Sequence, residues 1–146
     1  MKVSLIMPTI NVTKELDLFL QSLVQQTYQD FELIVVDQNP DRRVLDIVMK
    51  YEDKIEIKYI RSSQKGLSLN RNKGLIAREG EIIGFPDDDC EYQPDTIEKV
   101  VSFFEKKKAY RIYSCRTLER GKDYGTGIME TTDMDIKPNN VSKTVK

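Results

Sequence analysis

The chain has 146 residues, of which 39% are hydrophobic and 32% charged, with a net charge of -1 and no histidine. That length suits one domain with a substantial core, and a balanced charge offers no electrostatic footprint for nucleic acid. The missing histidine excludes Ser-His-Asp and Cys-His catalysis and His-ligated metal, and the two cysteines, Cys90 and Cys115, are too few and too far apart for a zinc site and read as cytosolic thiols.

"VSLIM" (3–7) is a short apolar run stopped by Pro8, and it predicts a buried first strand. Leu16, Phe19, Leu20, Leu23 and Val24 then recur at helical spacing, with Thr13 or Asn11 as the cap. "FELIVV" (31–36) is a second strand ending at Asp37. Val44, Ile47, Val48 and Tyr51 mark a second helix, with Asp41 as its cap. "IEIKYI" (55–60) alternates apolar and charged residues, which predicts a strand at the sheet edge with one face exposed. A third helix is expected over 69–78, closed by Gly80.

"EIIGF" (81–85) is a fourth strand. Pro94 opens a fourth helix that carries Ile97, Val100, Val101 and Phe104 on one face. "YRIYSC" (110–115) is expected to be a fifth strand. The alternation predicts an α/β fold with a Rossmann-like, mostly parallel sheet and flanking helices. No apolar run approaches the ~20 residues of a membrane span. From about Arg116 the chain is polar and loses its period. The expected organisation is a nucleotide-binding domain over 1–116 and a polar tail, or the start of another half, over 117–146.

In open α/β sheets ligands bind beyond the carboxyl ends of the strands. Those ends carry Pro8, Thr9 and Asn11 after the first strand, Asp37, Gln38 and Asn39 after the second, and Asp87, Asp88 and Asp89 after the fourth. Three adjacent carboxylates are costly unless a cation neutralises them. Mg²⁺ or Mn²⁺ bridged to a diphosphate would do so, since Mg²⁺ commonly takes one or two carboxylates plus phosphate oxygens. The bland reading is a solvated acidic loop at a helix N-terminus, and it is the position at a strand end that favours the metal. In "GLSLNRNKGL" (66–75), Asn72 falls among Leu69, Leu75 and Ile76. It is expected on the apolar face of its helix, either tying down a loop or touching ligand. Arg71 beside it suits a base or phosphate.

"VSLIMPTIN", "QTYQDFELIVVD", "GLSLNRNKGL" and "GEIIGFPDDDCEYQPD", in this order and spacing over residues 3 to 105, resemble the family-2 glycosyltransferases of GT-A fold. The resemblance implies a nucleotide-diphosphate-sugar donor, a divalent metal, and inversion at the anomeric carbon. It implies that Thr9 approaches the nucleoside, that Asp37 lies near the base or ribose, and that Asp88 lies by the ribose and donor sugar. Asp89 would reach the metal, with Asp87 the first member of a DXD-like triplet. The family commonly has a second acid where this chain has Gln38, which leaves the nucleotide open. The general base is unassigned: Glu130, Asp133 and Asp135 qualify only by chemistry. The chain is therefore expected to be a donor-binding part, incomplete at its C-terminus, that transfers sugar poorly by itself to an unknown saccharide or lipid-linked acceptor. The expected location is the cytoplasm, with peripheral association at the inner face of the membrane left open.

A non-catalytic nucleotide- or partner-binding module of the same fold is the alternative. Phosphatase and receiver domains place their key aspartate after the first or third strand, and a nucleotidyltransferase wants a Gly-rich loop where this chain has "MPTIN".

Overall fold

The computed structural model describes residues 1–115, 117 and 118. Contacts divide the chain after Ala109, and Met1–Ala109 forms one compact unit. Its elements alternate: β1 (Val3–Thr9), α1 (Lys14–Val24), β2 (Phe31–Asp37), α2 (Arg43–Val48), β3 (Glu56–Arg61), α3 (Leu67–Ala77), β4 (Ile82–Gly84) and α4 (Thr96–Lys106). The four strands form one parallel sheet in the order β3-β2-β1-β4.

β1 and β2 are buried along their whole length, in line with apolar runs broken before their ends only by Ser4 and Glu32, which bond to each other. β3 lies at the edge and is only partly buried, in line with its alternation. On one face Val3, Leu5, Met7, Leu33 and Val35 pack with Leu16, Phe19, Leu20 and Leu23 of α1, Val44 and Val48 of α2, and Ile97 and Val101 of α4. Val100 and Phe104 join the same core at its margin. On the other face Ile6, Ile34 and Val36 meet Leu75 and Ala77 of α3.

β1 does not stop at Pro8 but runs through it to Thr9. The Val3 N–H donates to Asp30 O and the Gln38 N–H donates to Thr9 O, so the odd residues of β1 face β2. Pro8 therefore faces the β4 side, where pairing ends at Leu5 with Gly84. The hydrogen bond that proline cannot give has no strand waiting for it there.

Two other expectations are corrected. α4 starts at Thr96, with Pro94 in the turn before it. The Pro94 carbonyl accepts from Thr27 N–H at 2.8 Å, and the buried Gln26 side chain accepts from Ile97 N–H at 3.1 Å. The cap of α4 is thus supplied across the fold by a residue just past α1. The segment 110–115 forms no strand, and most of its side chains are exposed, including Ile112 at 82%.

The amino-terminal edge of the sheet carries a charge network. Glu32, fully buried, accepts from Ser4 Oγ and from Glu79 N–H, and Lys58 Nζ lies 2.7 Å from its second oxygen as an ion pair. Lys2 bridges Glu56 and Glu79 at 2.9 and 3.1 Å. Oxygens of Glu32, Glu56 and Glu79 lie within 4.8 Å of one another. Lys2 and Lys58 between them already pair with all three carboxylates, so the cluster is structural.

Burial pushes the Glu32 carboxyl up. The Lys58 ammonium, the Ser4 hydroxyl and the Glu79 N–H outweigh that and hold it at about 2. Because the folded-state value is depressed, the stability it contributes is present above the ordinary carboxylate pKa of about 4.3 and is lost as pH falls toward 2. Glu32→Gln should lower the melting temperature at neutral pH and flatten this acid limb. Parallel acid titrations of the two proteins would contradict the assignment.

Candidate functional site

The connections β1-α1-β2-α2-β3 build outward in one direction, and α3 then returns the chain across the other face to place β4 beside β1. The strand order therefore reverses between β1 and β4, and the crevice outside such a switch point is where α/β sheets bind ligands. Thr9 ends β1, and Asp87, Asp88 and Asp89 follow β4. The topology brings these two groups to one place.

Asp88 is half-buried against the end of β1. Burial pushes its carboxyl up, the Thr9 side chain and the Ile10 backbone N–H pull it part of the way back, and the neighbouring Asp89 charge raises it again. Thr9 Oγ1 is buried without a partner at hydrogen-bond geometry, so its influence on Asp88 is one of proximity. Asp87 and Asp89 are exposed. Arg71 of α3 reaches Asp87 Oδ1 at 3.4 Å and lies over the Phe85 ring at 5.4 Å, while its Nε is buried and unpaired. The loop thus offers two open carboxylates, flanked by an orphaned hydroxyl and an orphaned guanidinium nitrogen. Unbonded buried polar atoms call for a partner. The donor set fits a hard divalent cation that takes one or two carboxylates and completes its shell with phosphate oxygens and water.

Asp37 and Gln38, expected to meet the nucleotide, are engaged within the protein. Asp37 is fully buried. Its Oδ1 accepts from Asn39 N–H at 2.8 Å and from Asn39 Nδ2 at 2.7 Å, and its Oδ2 accepts from the Tyr59 hydroxyl. Asn39 Oδ1 in turn accepts from Asn11 N–H at 2.9 Å. Asn11 is exposed and has φ 61°, a left-handed conformation that asparagine tolerates better than most residues. Gln38 Oε1 accepts from Gly66 N–H at 2.8 Å and its Nε2 donates to Thr9 O at 3.4 Å. It clasps the ends of β1 and β2 to the start of α3, where Gly66 takes φ 137°.

The expected phase of α3 is wrong. Asn72 is exposed, and Asn70 is the fully buried asparagine. Asn70 Nδ2 donates to Gln64 O at 2.9 Å and Gly66 O at 2.8 Å, so Asn70 ties down the loop after β3. The face of α3 that meets the sheet runs through Asn70 and Gly74, leaving Leu69 and Ile76 exposed. Tyr59 and Asn70 are the residues that the sequence reading misses, and Asn39, noted there only for its place at a strand end, acts here as a donor to Asp37. The available signal was a buried aspartate at a strand end, which requires donors from somewhere nearby. Glu130, Asp133 and Asp135 lie outside the described residues.

A parallel sheet with helices on both faces, and carboxylates at its switch point, defines an α/β domain with its ligand crevice at the carboxyl ends of its strands. More narrowly, the chain belongs to glycosyl transferase family 2, whose model matches residues 4–141. It is 37% identical over 97 residues to a chondroitin synthase of Pasteurella multocida, covering 64% of this chain and 10% of that protein. It is 30% identical over 139 residues to an uncharacterized glycosyltransferase of Haemophilus influenzae, covering 92% of this chain and 46% of that protein. The fold is GT-A. Residues 1–349 of Staphylococcus aureus TarS, solved in complex with UDP-GlcNAc, match with a TM-score of 0.69 and 33% identity over 74% of this chain and 32% of that one. The chain spans less than half the length of each of these relatives. Among the described residues, no helix is long and apolar enough to cross a membrane.

Proposed function

We propose that this chain supplies the donor side of a metal-dependent, inverting glycosyl transfer from a nucleoside-diphosphate sugar. The observation that carries the reading is the meeting of Thr9 and Asp87–Asp89 at the switch point between β1 and β4. TarS, a relative of the same family, is captured with UDP-GlcNAc, which makes a UDP-sugar the first donor to try.

Asp89, with Asp87, would hold Mg²⁺ or Mn²⁺, which when bound offsets the charge that develops on the departing diphosphate. Asp88 faces the Thr9–Ile10 turn and would orient the ribose and donor sugar. Arg71, drawn to Asp87 in the free protein, is placed to turn to a phosphate oxygen through its fork of donors. Pro8, Asn11, Asp37 and Gln38, in or just after β1 and β2, would border the crevice, whereas Asn72, exposed on the side of α3 away from Asn70 and Gly74, is given no donor contact. The acceptor and the general base are left unassigned, and the transfer activity of the whole protein belongs to this proposal.

Donor binding should stabilise the fold by mass action, by about 2.7 kcal/mol when ligand stands at a hundred times its dissociation constant. The melting temperature of the chain is therefore expected to rise by several degrees with a UDP-sugar and Mn²⁺. An unchanged melt across UDP-, GDP-, CDP- and dTDP-sugars with Mn²⁺ would overturn the reading.

A further inference from the structure

We propose that Tyr59 is a positioning residue for the donor site, acting from the edge strand through Asp37 and Asn39 on the turn that follows β1. This inference rests on the donor-site reading above. Tyr59 lies in β3 opposite Val35, on the sheet face that also carries Asp37. Its hydroxyl donates to Asp37 Oδ2, while Asn39 donates twice to Oδ1. Both carboxylate oxygens are thereby used, as a fully buried carboxylate requires.

The Asn39 amide, fixed by that carboxylate, turns its Oδ1 to the Asn11 N–H. This bond holds Asn11 at its positive φ. Asn11 follows Ile10, whose N–H acts on Asp88, and Thr9, whose side chain stands beside Asp88. One line of hydrogen bonds thus runs from an edge strand to the turn that touches the candidate donor carboxylate. Arg61 Nη2 donates to Asn39 O at 3.3 Å and steadies the middle of the line.

Tyr59 is suited to the task chemically. Burial, then the bond to Asp37, pushes its hydroxyl up to about 12, so it remains a proton donor throughout the neutral range. A phenylalanine at this position would keep the ring packing and remove only the donor. Asp37 Oδ2 would then be buried without a partner, and the carboxylate would be free to rotate away from Asn39. Buried networks lose more than one bond when one member goes.

The test measures UDP and GDP affinity, with Mn²⁺ present, for the full chain and for Tyr59→Phe, Asn39→Ala and the double variant, with a melt of each. Each single variant should weaken the better nucleotide by roughly five- to tenfold, and the double variant by little more than the worse single, because neighbours in one network are not additive. Tyr51→Phe removes a comparable buried hydroxyl bond, to Asp17 at 2.9 Å on the α1 side, and should leave affinity unchanged. A merely structural Tyr59 would lower the melting temperature with no selective loss of nucleotide. Wild-type affinity in Tyr59→Phe would overturn this inference alone, and so would independent, multiplicative losses in the double variant. Should Tyr59→Phe not fold, Asn39→Ala reads the same line, and wild-type affinity there would overturn it equally. Failure of the wild-type chain to bind either nucleotide would overturn the donor-site reading and this inference with it.

Discussion

Gly74→Ala is expected to lower the melting temperature by roughly 5–10 °C, a loss of about 2 kcal/mol in a domain of this size. The sign is opposite to helix propensity, since alanine gains about 1 kcal/mol over glycine inside a helix. The contact decides it. A Cβ at Gly74 would fall under 3.0 Å from Ile6 Cγ2 and at 3.4 Å from Val36 Cγ2. Ile6 and Val36 are fully buried in the central strands, and their β-branched side chains have little freedom to turn aside. α3 would have to lift from the sheet, carrying with it Asn70, Gly66 and Arg71. Donor affinity should therefore fall together with stability. Ile6→Ala removes the methyl group that collides, so the double variant should be about 2 kcal/mol better than the sum of its singles. Simple additivity would show that α3 moves away without strain.

The second large effect is expected at Asp89. Asp89→Asn should weaken nucleoside diphosphate binding in Mn²⁺ by roughly tenfold or more, which corresponds to about 1.4 kcal/mol per decade. An amide keeps the size of the side chain and one acceptor oxygen, but it loses the charge that a hard cation seeks. Asp89 is exposed, so the substitution should not shift the melt. Glu52→Gln makes the same charge change beyond α2, away from the strand ends, and should leave affinity as it is. If both variants bound alike, the effect would be one of net charge and the metal assignment would fail.

How far the sequence alone reaches can be seen by comparing α1 with α3. In α1 four of the five buried positions, Leu16, Phe19, Leu20 and Leu23, are large apolar residues, so the helical period is visible and the core contacts follow from it. In α3 the buried positions are Asn70 and Gly74, which carry no apolar signal; Leu75 and Ala77 are only partly buried against the sheet, and Leu69 and Ile76 face outward. Hydrophobicity alone puts the wrong face of α3 on the sheet and favours Asn72 over Asn70. The close approach that needs a glycine, and the loop that needs an amide, are tertiary facts. The strand segment expected at 110–115 had the composition of a strand but forms none.

The candidate site divides in the same way. Thr9 and the three aspartates were legible because strand ends and parallel topology follow from the order of elements. Asp37 was legible as a strand-end acid, but its occupation by Tyr59 and Asn39 was not. Tyr59 sits in a strand whose alternation reports only exposure, and its bond to Asp37 depends on which strand lies beside β2. Gln38 was seen as a departure from the family pattern, and the structure gives it work between Thr9 and Gly66.

The measurement closest to the central claim is calorimetric titration of the full chain with UDP and with GDP, in Mn²⁺ and again in excess chelator. The carboxylates after β4 are held to meet the donor diphosphate through a divalent cation. The expected result is saturable binding of at least one nucleotide in Mn²⁺, weakened tenfold or more by the chelator. Equal affinity in the two conditions would contradict the account.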